Sequence, residues 1–146
     1  MEKEQTERWF MVGVYLAPSD RDGSIARRIE ELIASRPKDS RPLVLADLNA
    51  DLDCPRDRQE EIMAGGMARY GLVCASRHFV ARRTRYVRGR WTWGQRRKDR
   101  AGEMQTIRSK PDYVLARHED RGKIRRVRWV RPHGFNSDHR ALVFRL

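Results

Sequence analysis

The feature that most constrains the fold is a continuous apolar run that ends abruptly in polar residues. Pro42-Leu43-Val44-Leu45-Ala46 is followed directly by Asp47-Leu48-Asn49. A short run that is apolar at every position is typical of a strand buried on both faces, because a strand with one wet face would alternate. The sequence therefore predicts a central strand that carries a carboxylate and an amide at its end.

The segments before this run complete a predicted strand, helix, strand unit. Residues 9–16 are apolar and β-prone, and Pro18 lies just beyond them. Ser24 is a residue type that caps helices, and Pro37 marks the end of the segment that follows it. The apolar face expected on this helix consists of Ile25, Ile29, Leu32 and Ile33.

The remainder of the chain predicts an α/β fold with a mixed, largely antiparallel sheet and flanking helices. Residues 77–108 lose their periodicity, so we expect long loops there with one strand between them. The last third predicts three strands in a meander. The expected elements are a helix over residues 58–70 and strands over residues 72–74, 91–93, 112–116, 125–130 and 141–144.

The charge balance favours a polyanionic partner. The chain has 32 basic and 20 acidic side chains, a net charge of +12, and most of the basic ones are arginine, whose planar fork of donors suits phosphate. Residues 82–98 and 121–128 concentrate them, and the first segment interleaves arginine with aromatic residues, as in nucleic-acid contacts. Arginines on solvated faces with no binding role are the alternative. The candidate nucleic-acid contacts are Arg85, Arg88, Arg90, Trp93 and Arg96.

Length and composition exclude several classes of protein. A chain of 146 residues can bury one core, and it contains no apolar run long enough to span a membrane. Its polar N-terminus does not resemble a secretory signal, and two cysteines cannot form a disulfide framework. We therefore expect an intracellular protein, nuclear or cytoplasmic and not secreted.

The scarce acidic residues are most informative where they fall at the ends of predicted strands. Asp47 and Asn49 follow the central strand, Asp112 opens a later strand, and Asp138-His139 precede the last one. Together these residue types suit hydrolysis of a phosphodiester, since carboxylates hold a divalent cation and a carboxylate or imidazole handles the proton of an attacking water. Taken singly, each of them could equally be a turn residue.

Five motifs occur in order along the chain. They are Val-Tyr-Leu-Ala-Pro at residues 14–18, Leu-Val-Leu-Ala-Asp-Leu-Asn-Ala at 43–50, Trp-Thr-Trp at 91–93, Lys-Pro-Asp-Tyr-Val-Leu at 110–115 and Asn-Ser-Asp-His-Arg at 136–140. In this order they resemble the C-terminal part of the endonuclease/exonuclease/phosphatase superfamily, and most of all its non-LTR retrotransposon endonucleases. The resemblance implies part of a four-layer α/β/β/α sandwich and hydrolysis of DNA.

The resemblance also implies a role for each motif residue. Asp47 would orient or deprotonate the nucleophilic water, and Asn49 would hydrogen-bond the phosphate in the transition state. His139 would contact the scissile phosphate, while Asp112 fixes the tautomer of its imidazole. The Tyr15 hydroxyl would donate to a phosphate oxygen.

The same resemblance implies a divalent cofactor and a nucleic-acid partner. Asp138 would help to place Mg²⁺ or Mn²⁺. The family's principal metal-binding glutamate lies on an N-terminal strand that we expect to be absent, with residues 1–8 a polar leader and residues 9–146 a partial domain. Glu7 is expected to be solvated. Ala46 and Leu48 replace a glycine and a phenylalanine of the family motif, which is tolerated where the backbone φ is negative.

These departures leave three functions open. The first is a DNA endonuclease of retroelement type that is weakened, or inactive alone, by truncation. The second is a basic nucleic-acid-binding remnant without catalysis, and the third is a phosphatase of the same superfamily acting on a small phosphate ester. A partner chain or a second copy is expected to cover the sheet that the missing strands leave open.

Overall fold

The computed structural model describes residues 7–19, 22–75, 92–131, 134 and 136–146. Within these residues two α-helices and eight strands form, with a 3₁₀ helix at His118–Lys123. In chain order the elements are β1 Arg8–Tyr15, α1 Ile25–Ala34, β2 Ser40–Asp47, α2 Arg58–Arg69, β3 Leu72–Cys74, β4 Trp93–Lys98, β5 Met104–Ser109, β6 Asp112–Arg117, β7 Arg125–Val130 and β8 Ala141–Arg145.

A four-stranded mixed sheet in the order β1-β2-β6-β3 organises the molecule. Strands β1 and β2 are parallel and joined through α1, which confirms the predicted strand, helix, strand unit. Strand β6 comes much later in the sequence, yet it lies between β2 and β3 and is antiparallel to both. The central strand expected from the apolar run is therefore β2, paired on both sides.

Both helices pack on one face of this sheet and build the larger core. Alternate side chains of β2, such as Val44 and Ala46, point into it, as do Ile29 and Ile33 of α1. A Cβ added at Gly66 of α2 would lie 2.8 Å from the Cβ of Ala26 in α1. Gly66, one of the two glycines that weaken the helix propensity of α2, thus allows the close approach of the two helices.

The other face of the sheet carries a second, smaller core. Leu43 of β2 and Val114 of β6 are buried there, and Leu142 and Phe144 of β8 pack against them from outside. Strands β7 and β8 pair with each other as a separate two-stranded sheet. Both faces of β2 are therefore covered, as its uninterrupted apolar sequence predicts.

Two expectations about the second half of the chain are wrong. Within the part predicted to be loop, Trp93–Lys98 and Met104–Ser109 form the antiparallel hairpin β4–β5. The last three strands do not form a meander, because β6 joins the large sheet while β7 and β8 pair only with each other among the described elements. Pairing partners of this kind depend on packing over long sequence separations, which local patterns do not contain.

Two local details also differ from expectation. Ser24 precedes α1 without capping it through its side chain, since its hydroxyl donates to Asp22 at 2.6 Å. Leu32 is 50% exposed, and the buried side of α1 consists of Ala26, Ile29 and Ile33. Glu7 is exposed, as expected, and forms a surface ion pair with Lys123. No helix among the described residues has the length and apolarity needed to cross a membrane.

Candidate active site

A row of three polar side chains crosses the large sheet at one end. Tyr15 of β1 is the register partner of Asp47 in β2, and Asp47 is in turn the partner of Asp112 in β6. Directly opposed residues in neighbouring strands project from the same face. The sheet register therefore places a phenol and two carboxylates side by side, although they come from three distant parts of the sequence.

His139 joins this row from the segment before β8. Its Nδ1 lies 3.0 Å from Oδ2 of Asp112, and the side chains of the pair are 33% and 19% exposed respectively. One ligand atom from each of Asp47, Asp112 and His139 lies within 4.8 Å of the other two. The three side chains thus form one cluster, and Asp112 orients the imidazole through Nδ1 so that Nε2 is left for a ligand.

Asn49 stabilises the turn that follows Asp47 through two hydrogen bonds. Its φ of 46° lies in the left-handed region, which asparagine tolerates better than most residues. Its backbone N–H donates to Asp47 Oδ1 at 3.1 Å, and its Nδ2 donates to the Leu16 carbonyl at 2.7 Å. Positive φ occurs at Asn49 and Arg126 among the described non-glycine residues, so Ala46 and Leu48, which flank Asp47, have negative φ.

Thr92 ties the cluster together from a fully buried position. The backbone N–H of Asp112 donates to its hydroxyl oxygen at 3.2 Å, and the N–H of Arg140 donates to its carbonyl at 2.6 Å. Thr92 thereby fixes both the start of β6 and the residue next to His139. Sequence reasoning placed Thr92 in a strand motif without finding this role, because the contacts are to backbone groups far away in the chain.

Trp93 holds the remaining acidic residue of the segment. Its indole Nε1–H donates to Asp138 Oδ2 at 2.7 Å, and the neighbouring Gly94 N–H donates to the Asp138 carbonyl at 3.1 Å. Asp138 does not belong to the group of potential metal ligands found among the described residues. Its predicted role in placing a metal stays a prediction, and its observed role is to connect β4 to the segment carrying His139.

Burial raises the pKa of Asp47 above its ordinary value. The repulsion of Asp112 acts in the same direction, while the hydrogen bond from the Asn49 backbone and the attraction of His139 oppose it. Asp47 is also the residue predicted to orient or deprotonate the attacking water. A raised pKa suits a group that accepts a proton during a reaction.

A cleft of about 310 Å³ opens beside the two carboxylates. Asp47, Asp112 and Arg140 supply its charged groups, and the apolar part of its wall comes from β2, β6 and β8, including Leu45 and Phe144. A polar end against an apolar wall is the usual form of a small-ligand site. Asp47 and Asp112 both line the cleft, so a ligand bound there has access to the two carboxylates.

The donor set of the cluster fits a divalent cation. Carboxylate oxygens are the preferred ligands of Mg²⁺, and Mn²⁺ accepts an imidazole as well. Asp47 and Asp112 would hold the ion, with His139 beside them and most of the coordination positions left to water or substrate. Such a site binds weakly without further ligands.

Some of the remaining predicted site residues lie in the described part of the chain, and the others do not. Tyr15 is 72% exposed at the open end of the row, and Arg96 is exposed on β4 of the hairpin. Trp93 is half-buried beside the cluster. Arg85, Arg88 and Arg90 lie outside the described residues.

Comparison with known proteins supports the fold. No protein-family model matches the sequence, and no curated protein is similar to it in sequence. The structure nevertheless matches several solved chains. One of them is the endonuclease domain of TRAS1, a telomere-specific non-LTR retrotransposon, with a TM-score of 0.61 and 19% identity over 89% of the present chain.

The same comparison fixes how much of that fold is present. The chain spans about half of the TRAS1 domain structure, 53% of its length. The mixed α/β architecture predicted from the sequence is therefore confirmed as an endonuclease-like fold. At this level of identity the likeness concerns the fold, and the chemistry has to be argued from the site.

Proposed function

We propose that the protein hydrolyses phosphodiester bonds in nucleic acid with the help of a divalent cation. The observation that carries the proposal is the cluster of Asp47, Asp112 and His139 in an endonuclease-like fold, with Asp47 and Asp112 lining a cleft. The paired carboxylate and imidazole beside a second, partly buried carboxylate supply the groups that activate water and contact phosphate. The net charge of +12 favours a polyanionic substrate over a small phosphate ester.

Each side chain has a defined task in this proposal. Asp47, with its raised pKa, orients the attacking water and accepts its proton. Asp112 holds His139 by Nδ1 at 3.0 Å, so that Nε2 is directed to the scissile phosphate. Tyr15 and Asn49 complete the set, the phenol as a donor to a phosphate oxygen and the amide through the N–H that is not bound to Leu16.

A bound divalent cation supplies neutralisation of the phosphate charge and lowers the pKa of a coordinated water. Asp47 and Asp112 are its proposed ligands, with His139 beside them. Two carboxylates leave most of the octahedral positions of Mg²⁺ to water, so its affinity is low. We therefore expect weak cleavage by this chain alone, detectable at high metal concentration.

The hairpin β4–β5 is the proposed contact with the nucleic-acid strand. Its outer part carries Arg96, Arg97 and Lys98 on exposed positions, and its base is joined to the cluster through Trp93 and Thr92. A basic element attached directly to the cleft positions a phosphate backbone over the carboxylates. DNA is the proposed partner.

We also propose that a second copy covers the open side of β1. Strand β1 is an edge of the large sheet, and Met11 on its uncovered side is 60% exposed. Edge strands with exposed apolar side chains tend to associate. The dimer would shield this edge next to the cleft.

Single-turnover nicking of supercoiled plasmid tests the catalytic proposal. With Mn²⁺ or Mg²⁺ in excess, the wild-type chain is expected to nick slowly, and Asp47→Asn to lose at least about 100-fold in rate, as removal of a general base does. Asp39→Asn serves as the control, because Asp39 forms a surface ion pair with Arg8. Equal nicking by wild type and Asp47→Asn would contradict the proposal. Binding of DNA without nicking under any metal would favour the catalytically inactive binding protein.

A further inference from the structure

Arg140 is a cation next to the cluster that the motif comparison does not assign. It follows His139 directly and precedes β8. Of the described residues that line the cleft of about 310 Å³, Arg140 alone carries a positive charge, and Asp47 and Asp112 line the same cleft. A phosphate that enters this cleft meets Asp47 and Asp112, which repel it, and Arg140, which attracts it.

The backbone at Arg140 is held firmly, which favours a positioning role for its side chain. Its N–H donates to the carbonyl of fully buried Thr92 at 2.6 Å, and the residue itself is half-buried. A guanidinium group on a fixed backbone loses less freedom when it binds a ligand than one on a mobile loop does. Its planar donors match two oxygens of one phosphate.

Side chains alternate between the two sides of β8, so Arg140 and the other arginine of this segment can be assigned to different sides. Counting from Arg140, every second side chain belongs to the inner side, where Leu142 and Phe144 pack against the second core. Val143 and Arg145 lie on the exposed side. Arg145 therefore has the same charge on the same segment without access to the cleft.

We propose that Arg140 binds a non-bridging oxygen pair of a backbone phosphodiester inside the cleft and so holds the phosphate against the repulsion of Asp47 and Asp112. This inference rests on the proposed function for the identity of the ligand, a nucleic-acid phosphate. The contact itself follows from the lining of the cleft and can be measured without catalysis. Arg140 is then the cation of the site that is present before any metal binds.

Binding of inorganic phosphate and of oligonucleotides to the full chain tests the proposal in EDTA. Arg140→Gln is expected to weaken both about 10- to 100-fold, the range for hydrogen bonds to a charged group, whereas Arg145→Gln leaves both unchanged. Asp47→Asn, which removes a repelling charge, is expected to bind phosphate more tightly. Equal affinity of Arg140→Gln and wild type, equal losses in both arginine variants, or no phosphate binding by wild type would each overturn the assignment.

Two further measurements identify the phosphate that binds and distinguish a loss of binding from a loss of folding. Oligonucleotides with and without a 5′-phosphate should lose affinity equally in Arg140→Gln, since the site takes an internal phosphodiester; a loss confined to the phosphorylated one would overturn that choice. Arg140→Ala should recover binding when millimolar guanidinium is added, and a circular dichroism spectrum like that of wild type verifies its fold. No recovery by a folded variant counts against the contact. If wild type binds phosphate through Arg140 but never nicks DNA, the proposed function fails and this inference stands.

Discussion

At the scale of the single residue, Asp47 shows how the site works against the stability of the fold. Burial beside Asp112 raises its pKa, so its ionised form is less favourable in the folded chain than in the unfolded one. The ionised side chain therefore destabilises the folded protein at neutral pH. This destabilisation disappears when the pH falls through the raised pKa toward the ordinary value of about 4.

Asp47→Asn is consequently expected to raise the melting temperature while removing activity. The amide oxygen can still accept the Asn49 N–H, and the charge repulsion with Asp112 is gone. Because the side chain is only partly buried, we expect a gain of roughly 1 to 3 °C at about pH 8, shrinking to none near about pH 4. Calorimetry in EDTA across this pH range measures it. A gain that grows as the pH falls would show that the sign is wrong.

Trp93→Phe tests the other connection of the site. The change keeps an aromatic ring, smaller than the indole, and removes the donor to Asp138 at 2.7 Å. We expect a loss of stability below about 1 kcal/mol, as for a partly exposed hydrogen bond, and a fall in nicking rate of about 10-fold because His139 follows Asp138 directly. Urea unfolding and single-turnover kinetics measure the two effects. An unchanged rate would mean that Asp138 has no part in placing His139.

The site residues differ in how far the sequence reveals them. Asp47, Asp112 and His139 are recognisable because acidic residues are the minority among the charged side chains, with 20 against 32 basic ones, and the two aspartates fall at predicted strand ends in motifs. Thr92 and Arg140 escape this reasoning, since their roles arise from a buried hydroxyl meeting a distant backbone group and from the wall of a cleft. A local pattern contains neither. The proposed catalytic roles themselves await the experiments above.

At the scale of the element, the hairpin β4–β5 is the part that local patterns miss. The outer positions of β4 are exposed on both faces, so its sequence has no apolar alternation. Strand β2 is the opposite case, since burial on both faces imposes the apolar run by which it was predicted. Prediction of a strand from sequence succeeds for β2, because burial in a core requires apolar residues. It fails for β4, because solvent-exposed positions do not require them.

The exposed arginines of β4 should govern the salt dependence of DNA binding. Neutralising Arg96 and Arg97 together by Gln is expected to reduce the slope of log K against log salt by roughly 1.8 on duplex DNA if each contacts one phosphate. The control is the double Gln variant of Arg28 and Arg69, which are exposed on the helical side. Fluorescence anisotropy over a salt series gives both slopes. Equal slopes for the two variants would remove the hairpin from the interface.

At the scale of the whole molecule, the open edge of the large sheet should control association. Met11→Lys places a charge on the uncovered side of β1, where Met11 is 60% exposed, and should leave the fold intact. We expect wild type to sediment as a concentration-dependent dimer and the variant as a monomer. Leu32→Lys, on an exposed position of α1, is the matched control. A wild-type chain that stays monomeric at high concentration would refute the proposed dimer.

The position of β6 has a consequence for how the protein is made. Residues 72–74 are synthesised well before residues 112–117, but the strand formed by the later residues separates β3 from β2 in the finished sheet. During translation the first half therefore cannot close its sheet, and its interior edge stays unpaired until β6 has left the ribosome. Contacts so distant in sequence also slow folding. A nascent chain arrested before residue 112 should consequently be recognised by chaperones, and one arrested beyond the last strand should be released from them.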